Sequence, residues 1–102
     1  MSVKKQYLQT RPVCKVTFRL SEEAAENARD VRLVGDFNDW DPEATPMTRL
    51  KKGSFKAVLD LEPDQNYQFR YLINGDEWEN DWNADAYVPN PFGGGDNSVV
   101  KV

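Results

Sequence analysis

The stretch YQFRYLINGDEW, Tyr67–Trp78, carries the clearest fold signal in the chain. Its first seven residues alternate between two faces, and the more apolar face carries Tyr67, Phe69, Tyr71 and Ile73. A period of two is typical of a half-buried strand. Asn74-Gly75 follows, and both residues readily adopt the positive φ angles that a tight hairpin turn requires. The stretch therefore predicts a strand, a hairpin turn and a return strand that starts within DEW.

Similar short patterns lie on both sides of this hairpin. Further strands are predicted at VCKVTFRL (13–20), VRLVG (31–35), SFKAVLDL (54–61) and NSVVKV (97–102). The segment MTRL (47–50) forms a second predicted hairpin with SFKAVLDL around KKG. FNDWDPEATP and ENDWNADAYVPNPFGGGD are rich in Asn, Asp, Pro and Gly, which is typical of loops. Several short strands at near-regular spacing, without a long helix, predict an all-β antiparallel β-sandwich.

The length and the N-terminal composition set the domain organisation. A chain of 102 residues provides one small domain with a modest core. Residues 1–12 are polar and end in Pro12, so we interpret them as a flexible N-terminal arm before a sandwich over residues 13–102. This arm has two lysines but no apolar stretch, so we expect neither a signal peptide nor a membrane span. A cytoplasmic location is the default expectation.

Composition argues against several classes of function. Acids outnumber bases by 17 to 13, giving a formal charge of -4, and no basic stripe is visible, so nucleic acid and anionic membranes are poor candidate partners. The single cysteine, Cys14, lies on the inward face of a predicted strand and is interpreted as a core residue. The chain has no histidine, the commonest metal ligand and general base at neutral pH. We therefore expect a non-catalytic monomer without a cofactor or metal.

Three tryptophans fall outside the periodic core pattern. Trp40, Trp78 and Trp82 lie in predicted loops or at strand ends. They could close the open ends of the sandwich, or they could hold a ligand at the surface. The face of an indole ring packs well against the C–H face of a pyranose. Two such rings on one surface would therefore suit neighbouring sugars of a glucan.

Polar residues near these rings have ordinary interpretations as well. Arg70 lies mid-strand on the outward face, where an ordinary surface charge is the simpler interpretation, and Asn97 could cap a turn. The acidic segment DEWENDWNAD (76–85) lacks the spacing of an EF-hand loop. A carboxylate pair that cleaves glycosidic bonds needs a cleft that raises the pKa of one acid, and a small sandwich offers mostly open faces. We interpret this segment as a solvated acidic loop.

The order of motifs resembles one family. GDFNDWDP, a hairpin, YQFRYLINGDEW and NPFGGGDNSVVKV occur in the order and spacing of the early-set, immunoglobulin-like domain that precedes the catalytic barrel in isoamylase and glycogen-branching enzymes of glycoside hydrolase family 13. This domain is also classed as the family 48 carbohydrate-binding module. It is similar to the glycogen-binding domain of the AMP-activated protein kinase beta subunit. The resemblance covers nearly everything from about residue 13 onward.

The resemblance implies which residues would contact a glucan. Trp40 corresponds to the tryptophan that stacks on glucose after the G-x-F-N-x-W turn, and Trp78 to the second platform. Arg70, where the kinase-type domain has lysine, and Asn97 correspond to residues that hydrogen-bond sugar hydroxyls. The turn before Trp78 is one residue longer than in the kinase-type domain, so Trp82 is an alternative second platform. Phe92 is the nearest equivalent of the apolar wedge that such domains push into the glucan.

Two hypotheses of different classes follow. The first is a stand-alone module that binds α-1,4-glucan such as glycogen, starch or maltooligosaccharide. The second is an accessory or protein-interaction domain, whose aromatic surface would dock a separately encoded glucan-active enzyme or kinase-like partner without sugar. Hydrolase activity of the chain by itself is disfavoured, because the chain is too short for a catalytic barrel and lacks histidine.

Overall fold

A computed structural model describes residues 3–92 and 94–102 and shows nine β-strands with one short 3-10 helix, Asp36–Asn38, between β3 and β4. The strands are β1 (Val3–Tyr7), β2 (Cys14–Leu20), β3 (Val31–Gly35), β4 (Thr48–Arg49), β5 (Phe55–Leu61), β6 (Asn66–Ile73), β7 (Glu77–Glu79), β8 (Ala86–Pro89) and β9 (Asp96–Lys101). No helix in these ranges is long and apolar enough to cross a membrane.

The strands form two antiparallel sheets. The first sheet has the order β1-β2-β5-β4, and the second has the order β3-β6-β9-β8 with β7 also paired to β6. Both predicted hairpins are present, since β4 pairs with β5 and β6 pairs with β7. The predicted fold class is therefore confirmed: the chain is an all-β, immunoglobulin-like antiparallel sandwich.

The core lies between the two sheets and contains the residues that the alternation placed inward. Phe18, Phe69 and Tyr71 are fully buried, and their rings meet edge to face, with centroids 5.0 Å apart for Phe18 and Phe69 and 5.7 Å apart for Phe69 and Tyr71. Such aromatic pairs stabilise a core beyond the area that they bury. Cys14 is also fully buried in this core and is not bonded to another cysteine.

The N-terminal segment differs from the flexible arm that the sequence predicts over residues 1–12. Val3–Tyr7 form β1, which pairs along its whole length with β2 from Val3↔Phe18 to Tyr7↔Cys14. Val3 is buried in the core, and the Tyr7 hydroxyl donates a hydrogen bond to the carbonyl of Val102 at 2.6 Å. A polar segment joins the sheet here because β2 would otherwise leave its backbone N–H and C=O groups unpaired at the sheet edge. Met1 and Ser2 of the predicted arm lie outside the described residues.

Strand β6 carries the outer face on which the candidate site is built. Val34 of β3 pairs with Arg70, and Leu72 pairs with Trp78 of β7. Because side chains at directly paired positions share a face, and positions two apart on a strand share it too, Val34, Arg70, Leu72 and Trp78 all lie on the outer face of the second sheet.

Candidate functional site

The turn GDFNDW (35–40) begins where β3 ends, and its shape depends on Gly35. A Cβ atom at Gly35 would lie 2.5 Å from the Gln68 carbonyl oxygen and 2.8 Å from Cβ of Phe69, so only glycine fits against β6 at this point. Asn38 fastens the turn, since its side chain accepts a hydrogen bond from the Gly35 N–H at 3.0 Å and donates one to the Leu33 carbonyl at 2.9 Å. The turn is therefore packed directly onto the strand that carries Arg70.

Two consecutive residues with left-handed backbone turn Trp40 outward. Asp39 has φ 58° and Trp40 has φ 57°, and a non-glycine residue in this region costs about 1–3 kcal/mol. The Trp40 Nε1–H donates a hydrogen bond to Asp36 Oδ1 at 2.9 Å, and Asp36 Oδ2 accepts one from the Gln68 backbone N–H at 2.7 Å. One carboxylate thus ties the half-buried indole ring to β6, two residues from Arg70.

Arg70 is held between an aromatic ring and a backbone carbonyl. Its guanidinium carbon lies 5.7 Å from the centroid of the Trp78 ring, within the range of a cation–π contact. Its Nη2 donates a hydrogen bond to the Gly94 carbonyl at 3.2 Å. Its Nε is buried and has no acceptor among the described residues. The contacts fix the guanidinium beside Trp78 and leave other N–H groups free to donate.

Trp40, Arg70, Trp78, Asn90 and Gly94 together line a shallow depression of about 460 Å³, which we call the paired-indole depression. Trp78 is 43% exposed to solvent there. The longer turn after Asn74-Gly75 leaves Trp78 in line with Arg70, because β7 pairs with β6 in the register Leu72↔Trp78. The depression combines two flat apolar rings with amide and guanidinium donors, an arrangement that can stack on a ring-shaped ligand and hydrogen-bond its hydroxyl groups.

Asn97 lies beneath this depression rather than in its lining. It is only 3% exposed, and it donates a hydrogen bond to Gln68 Oε1 at 3.0 Å while its Oδ1 accepts one from Asn90 Nδ2 at 3.3 Å. Asn90 also caps its own turn, since its Oδ1 accepts a hydrogen bond from the Phe92 N–H at 2.8 Å. The structure therefore places Asn90 at the surface and Asn97 as the group that holds it.

The other two predicted site residues do not line the paired-indole depression. Trp82 is 53% exposed and lies in the connection between β7 and β8, where it lines a different depression with residues 19–24. Phe92 is 96% exposed in the turn between β8 and β9. Its neighbour Gly93, within the predicted glycine-rich stretch, lies outside the described residues.

The acidic segment 76–85 is not wholly solvated, because Asp81 is only 1% exposed. Its Oδ2 accepts a hydrogen bond from the Tyr71 hydroxyl at 2.7 Å, and its Oδ1 accepts one from the Asn83 N–H at 2.8 Å. Burial raises the pKa of the Tyr71 hydroxyl well above its usual value, and the negative charge of Asp81 adds to that rise. The interpretation of the whole segment as a solvated loop was wrong for Asp81, whose burial is made possible by these donors.

Asp85, in the same segment, links the two sheets. Its Oδ2 accepts hydrogen bonds from Lys5 Nζ at 2.7 Å and from the Lys101 N–H at 2.8 Å. Burial by itself raises the pKa of this carboxyl, but the two donors more than offset that effect, and the pKa lies below its ordinary value. Asp85 thus fastens β1 to the second sheet.

Sequence reasoning missed Asn90 and Gly94. Asn90 stands between two prolines in VPNPF, a pattern that indicates a turn and gives no sign of which way the amide points. Within the residues that the structure describes, no group of three or more His, Cys, Asp or Glu side chains is arranged to hold a metal ion.

Comparison with known proteins places the chain in a family. The sequence matches the family described as carbohydrate-binding module 48 (isoamylase N-terminal domain) over residues 12–88. This range includes Trp40, Arg70, Trp78 and Trp82, whereas Asn90, Phe92, Gly94 and Asn97 lie beyond it. More than half of the chain is therefore covered by the family match.

Curated relatives match part of the same region. The 1,4-alpha-glucan branching enzyme of Butyrivibrio fibrisolvens is 35% identical over 64 residues, which are 63% of this chain and 10% of that enzyme. The corresponding enzyme of Deinococcus radiodurans is 45% identical over 47 residues, 45% of this chain and 7% of the enzyme. That of Emericella nidulans is 48% identical over 44 residues, 43% of this chain and 6% of the enzyme. The chain spans a tenth or less of the length of these relatives. Its sequence and its sandwich agree on one assignment: the chain belongs to the carbohydrate-binding module 48 family, the isoamylase N-terminal domain family.

Proposed function

We propose that this chain is a non-catalytic module that binds α-1,4-glucan in the paired-indole depression. The observation that carries the proposal is that Trp40, Trp78 and Arg70 line one shallow depression, with the Arg70 guanidinium against the Trp78 ring. The relatives named above act on 1,4-alpha-glucan, as their names state, and this supports the choice of polysaccharide. The partner that we expect for such a module is a glucan-active enzyme. It would be encoded separately or as another domain of the same polypeptide.

Each residue of the depression has a role in this proposal. Trp40 and Trp78 stack on neighbouring glucosyl rings, because both indole rings are flat and apolar and both line the depression. Arg70 and Asn90 hydrogen-bond the hydroxyl groups at the ring edges, since the guanidinium offers several donors and the amide offers both donors and an acceptor. Asn97 positions Asn90 from below. Phe92 is exposed, its backbone N–H is hydrogen-bonded to Asn90, and its ring would contact a longer glucan chain.

The openness of the depression sets the expected affinity. A shallow site competes with water for each hydroxyl and buries little apolar area. We therefore expect a Kd between about 10 µM and about 1 mM for maltoheptaose, which corresponds to about -4 to about -7 kcal/mol.

The test is isothermal titration of the full chain with maltoheptaose, with β-cyclodextrin as a second ligand. Trp40→Ala and Trp78→Ala should each reduce affinity about five- to thirtyfold, because each removes one of two stacking platforms worth about 1–2 kcal/mol. Val58→Ala, an exposed apolar residue on the outer face of the other sheet, is the matched control and should bind as the unmodified chain does. Variants at Trp40 and Trp78 that fold and bind both ligands with full affinity would refute the site.

A further inference from the structure

Trp82 is the exposed indole that the paired-indole depression leaves unused. It lies in a separate depression of about 270 Å³, lined by residues 19–24 and 81–83, which we call the Trp82 depression. Residues 19 and 20 belong to β2 of the first sheet, whereas the paired-indole depression lies on the outer face of the second sheet. The two depressions have no lining residue in common.

The backbone on both sides of Trp82 is held rigidly. The Asp81 N–H donates a hydrogen bond to Ser98 Oγ at 2.9 Å, and the Asp81 carbonyl accepts one from the Tyr87 hydroxyl. The Asn83 N–H donates to the buried Asp81 carboxylate, and the Ala84 N–H donates to the Tyr87 oxygen at 3.2 Å. Every polar group of Asp81 is therefore satisfied, although burial of a carboxylate is costly without such partners.

In this loop Asp81 stabilises the fold, whereas Trp82 is exposed to solvent. The buried residue of the loop is Asp81, whose carboxylate meets Tyr71 of the core, whereas the neighbouring indole stays 53% exposed. A tryptophan that closed the end of the sandwich would be buried instead. An aromatic ring on a backbone that is already fixed loses little conformational entropy when a ligand arrives, which favours binding.

The remaining lining is polar and is itself partly oriented. Arg19 is held by a hydrogen bond from its Nη2 to Ser54 Oγ at 3.2 Å. Ser21 Oγ accepts the Ala24 N–H at 3.2 Å and keeps its own O–H to donate. Glu22 and Glu23 offer carboxylate acceptors beside them. A flat apolar face surrounded by both donors and acceptors matches a pyranose ring, whose hydroxyl groups do both.

We propose that the Trp82 depression is a second, independent site for a glucosyl segment, with Trp82 as its single stacking platform. This inference rests on the proposed function for the identity of the sugar. The volume lies just below the range for small-molecule sites, about 300–1,000 Å³, so the site takes a short segment rather than a long chain. Two sites on one module allow it to hold two segments of a branched polysaccharide, and the second contact then benefits from a high effective concentration.

The test follows the indole N–H signals of all three tryptophans by ¹⁵N NMR during titration of the full chain with maltoheptaose. We expect the Trp82 signal to shift and saturate, and to do so with the same midpoint in the Trp40→Ala variant. We also expect Trp82→Ala to weaken retention on glycogen about tenfold or more through loss of bivalence, while maltoheptaose still shifts Trp40 and Trp78. Arg19→Gln should raise the midpoint of any Trp82 shift and leave the other two signals unchanged.

The outcomes distinguish this inference from the proposed function. Shifts at Trp40 and Trp78 with none at Trp82 would overturn the second site and leave the first intact. A Trp82 shift that disappears in Trp40→Ala would overturn its independence. No shift at any indole would overturn both. Because Trp82 is exposed, the backbone amide spectrum of Trp82→Ala should otherwise match that of the unmodified chain, which establishes that the variant is folded.

Discussion

Asp36 is the residue on which the orientation of Trp40 depends. Its two carboxylate oxygens accept one hydrogen bond from the indole N–H and one from the backbone of β6. Hydrogen bonds to a charged group are stronger than neutral ones and contribute about 1.5–3 kcal/mol each. The carboxylate thus acts on ligand binding through Trp40 and makes Asp36 a positioning residue.

Replacing Asp36 by alanine should therefore keep the Trp40 indole ring but allow it to change orientation. We expect Asp36→Ala to weaken maltoheptaose binding about three- to tenfold, since only part of one hydrogen bond's free energy is lost from the bound state. The Trp40 indole N–H signal should move away from its hydrogen-bonded position in the same NMR spectrum.

Asp39→Gly is the control for this change. It alters the same turn at an exposed residue with φ 58°, a conformation that glycine adopts without strain, and it should bind normally. A displaced Trp40 signal in Asp36→Ala combined with unchanged affinity would show that the ring's orientation does not matter for binding.

The sequence predicts the rings of Trp40 and Trp78 and the cation of Arg70 as site residues, because they depart from the core alternation or match the family's motifs. Of the amides it predicts Asn97, whereas Asn90 is the one that lines the depression. That Asn90 lines the depression while Asn97 lies beneath it could not be predicted, because it depends on a tertiary contact between their side chains. Asp81 was missed for a similar reason: a carboxylate is buried only where donors meet it, and Tyr71 lies ten residues away in the chain.

Among the elements, the sequence failed to predict β1, which it assigned to a flexible arm, and β8, whose residues Ala86–Pro89 it assigned to a loop. Alternation identified the strands that contribute two or more residues to the core, whereas β1 contributes only Val3 and otherwise exposes or half-exposes polar side chains. Such an edge strand is specified by the neighbour that it pairs with, and that information is not local. Its attachment is reinforced across the sandwich by Lys5 and Asp85, whose side chains meet at 2.7 Å.

The ion pair between Lys5 and Asp85 predicts how the free energy of unfolding changes at acidic pH. Because the pKa of Asp85 is lower in the folded protein than its ordinary value of 3.8, the native state binds this proton less readily than the unfolded chain. The resulting stability is present above the unfolded pKa and is lost as the pH falls through the folded pKa. Asp85→Asn should therefore lower the free energy of unfolding at pH 7, and the difference from the unmodified chain should shrink below about pH 4.

Urea unfolding at several pH values between 2 and 7 measures this difference. Asp60→Asn is the control, since it removes a more exposed pair with Arg11 at 3.6 Å, and exposed pairs contribute little. If the difference in free energy of unfolding between Asp85→Asn and the unmodified chain stays constant across this pH range, the lowered pKa of Asp85 is contradicted.

For the whole molecule, exposed basic side chains are concentrated on the first sheet. Its strands expose Lys4, Lys15, Arg19, Arg49 and Lys56, with Asp60 as the acid among them. The paired-indole depression, on the other sheet, contains one charged side chain, Arg70. Binding of a neutral polysaccharide at that depression should therefore depend little on salt.

The weak dependence on salt is a test of glucan binding at the paired-indole depression. Glucan binding should change less than about twofold in Kd between 20 mM and 500 mM NaCl, because screening acts on charge pairs and the ligand has no charge. Titration calorimetry at the two salt concentrations gives both values, and Arg70→Gln tests whether the remaining charge matters. A fall in glucan affinity of about tenfold or more would contradict binding of a neutral ligand through stacking and hydrogen bonds, because such a fall requires ionic contacts.

The chain's single sulfhydryl, at Cys14, has a practical consequence. The Cys14 side chain is buried in the core and has no exposed area. Cys14 belongs to β2, which lies between β1 and β5 in the first sheet. An alkylating reagent such as iodoacetamide can reach it only when that sheet opens, so the labelling half-time reports how often the sandwich separates. A glucan bound on the opposite face that lengthened this half-time would show that the two layers open as one cooperative unit.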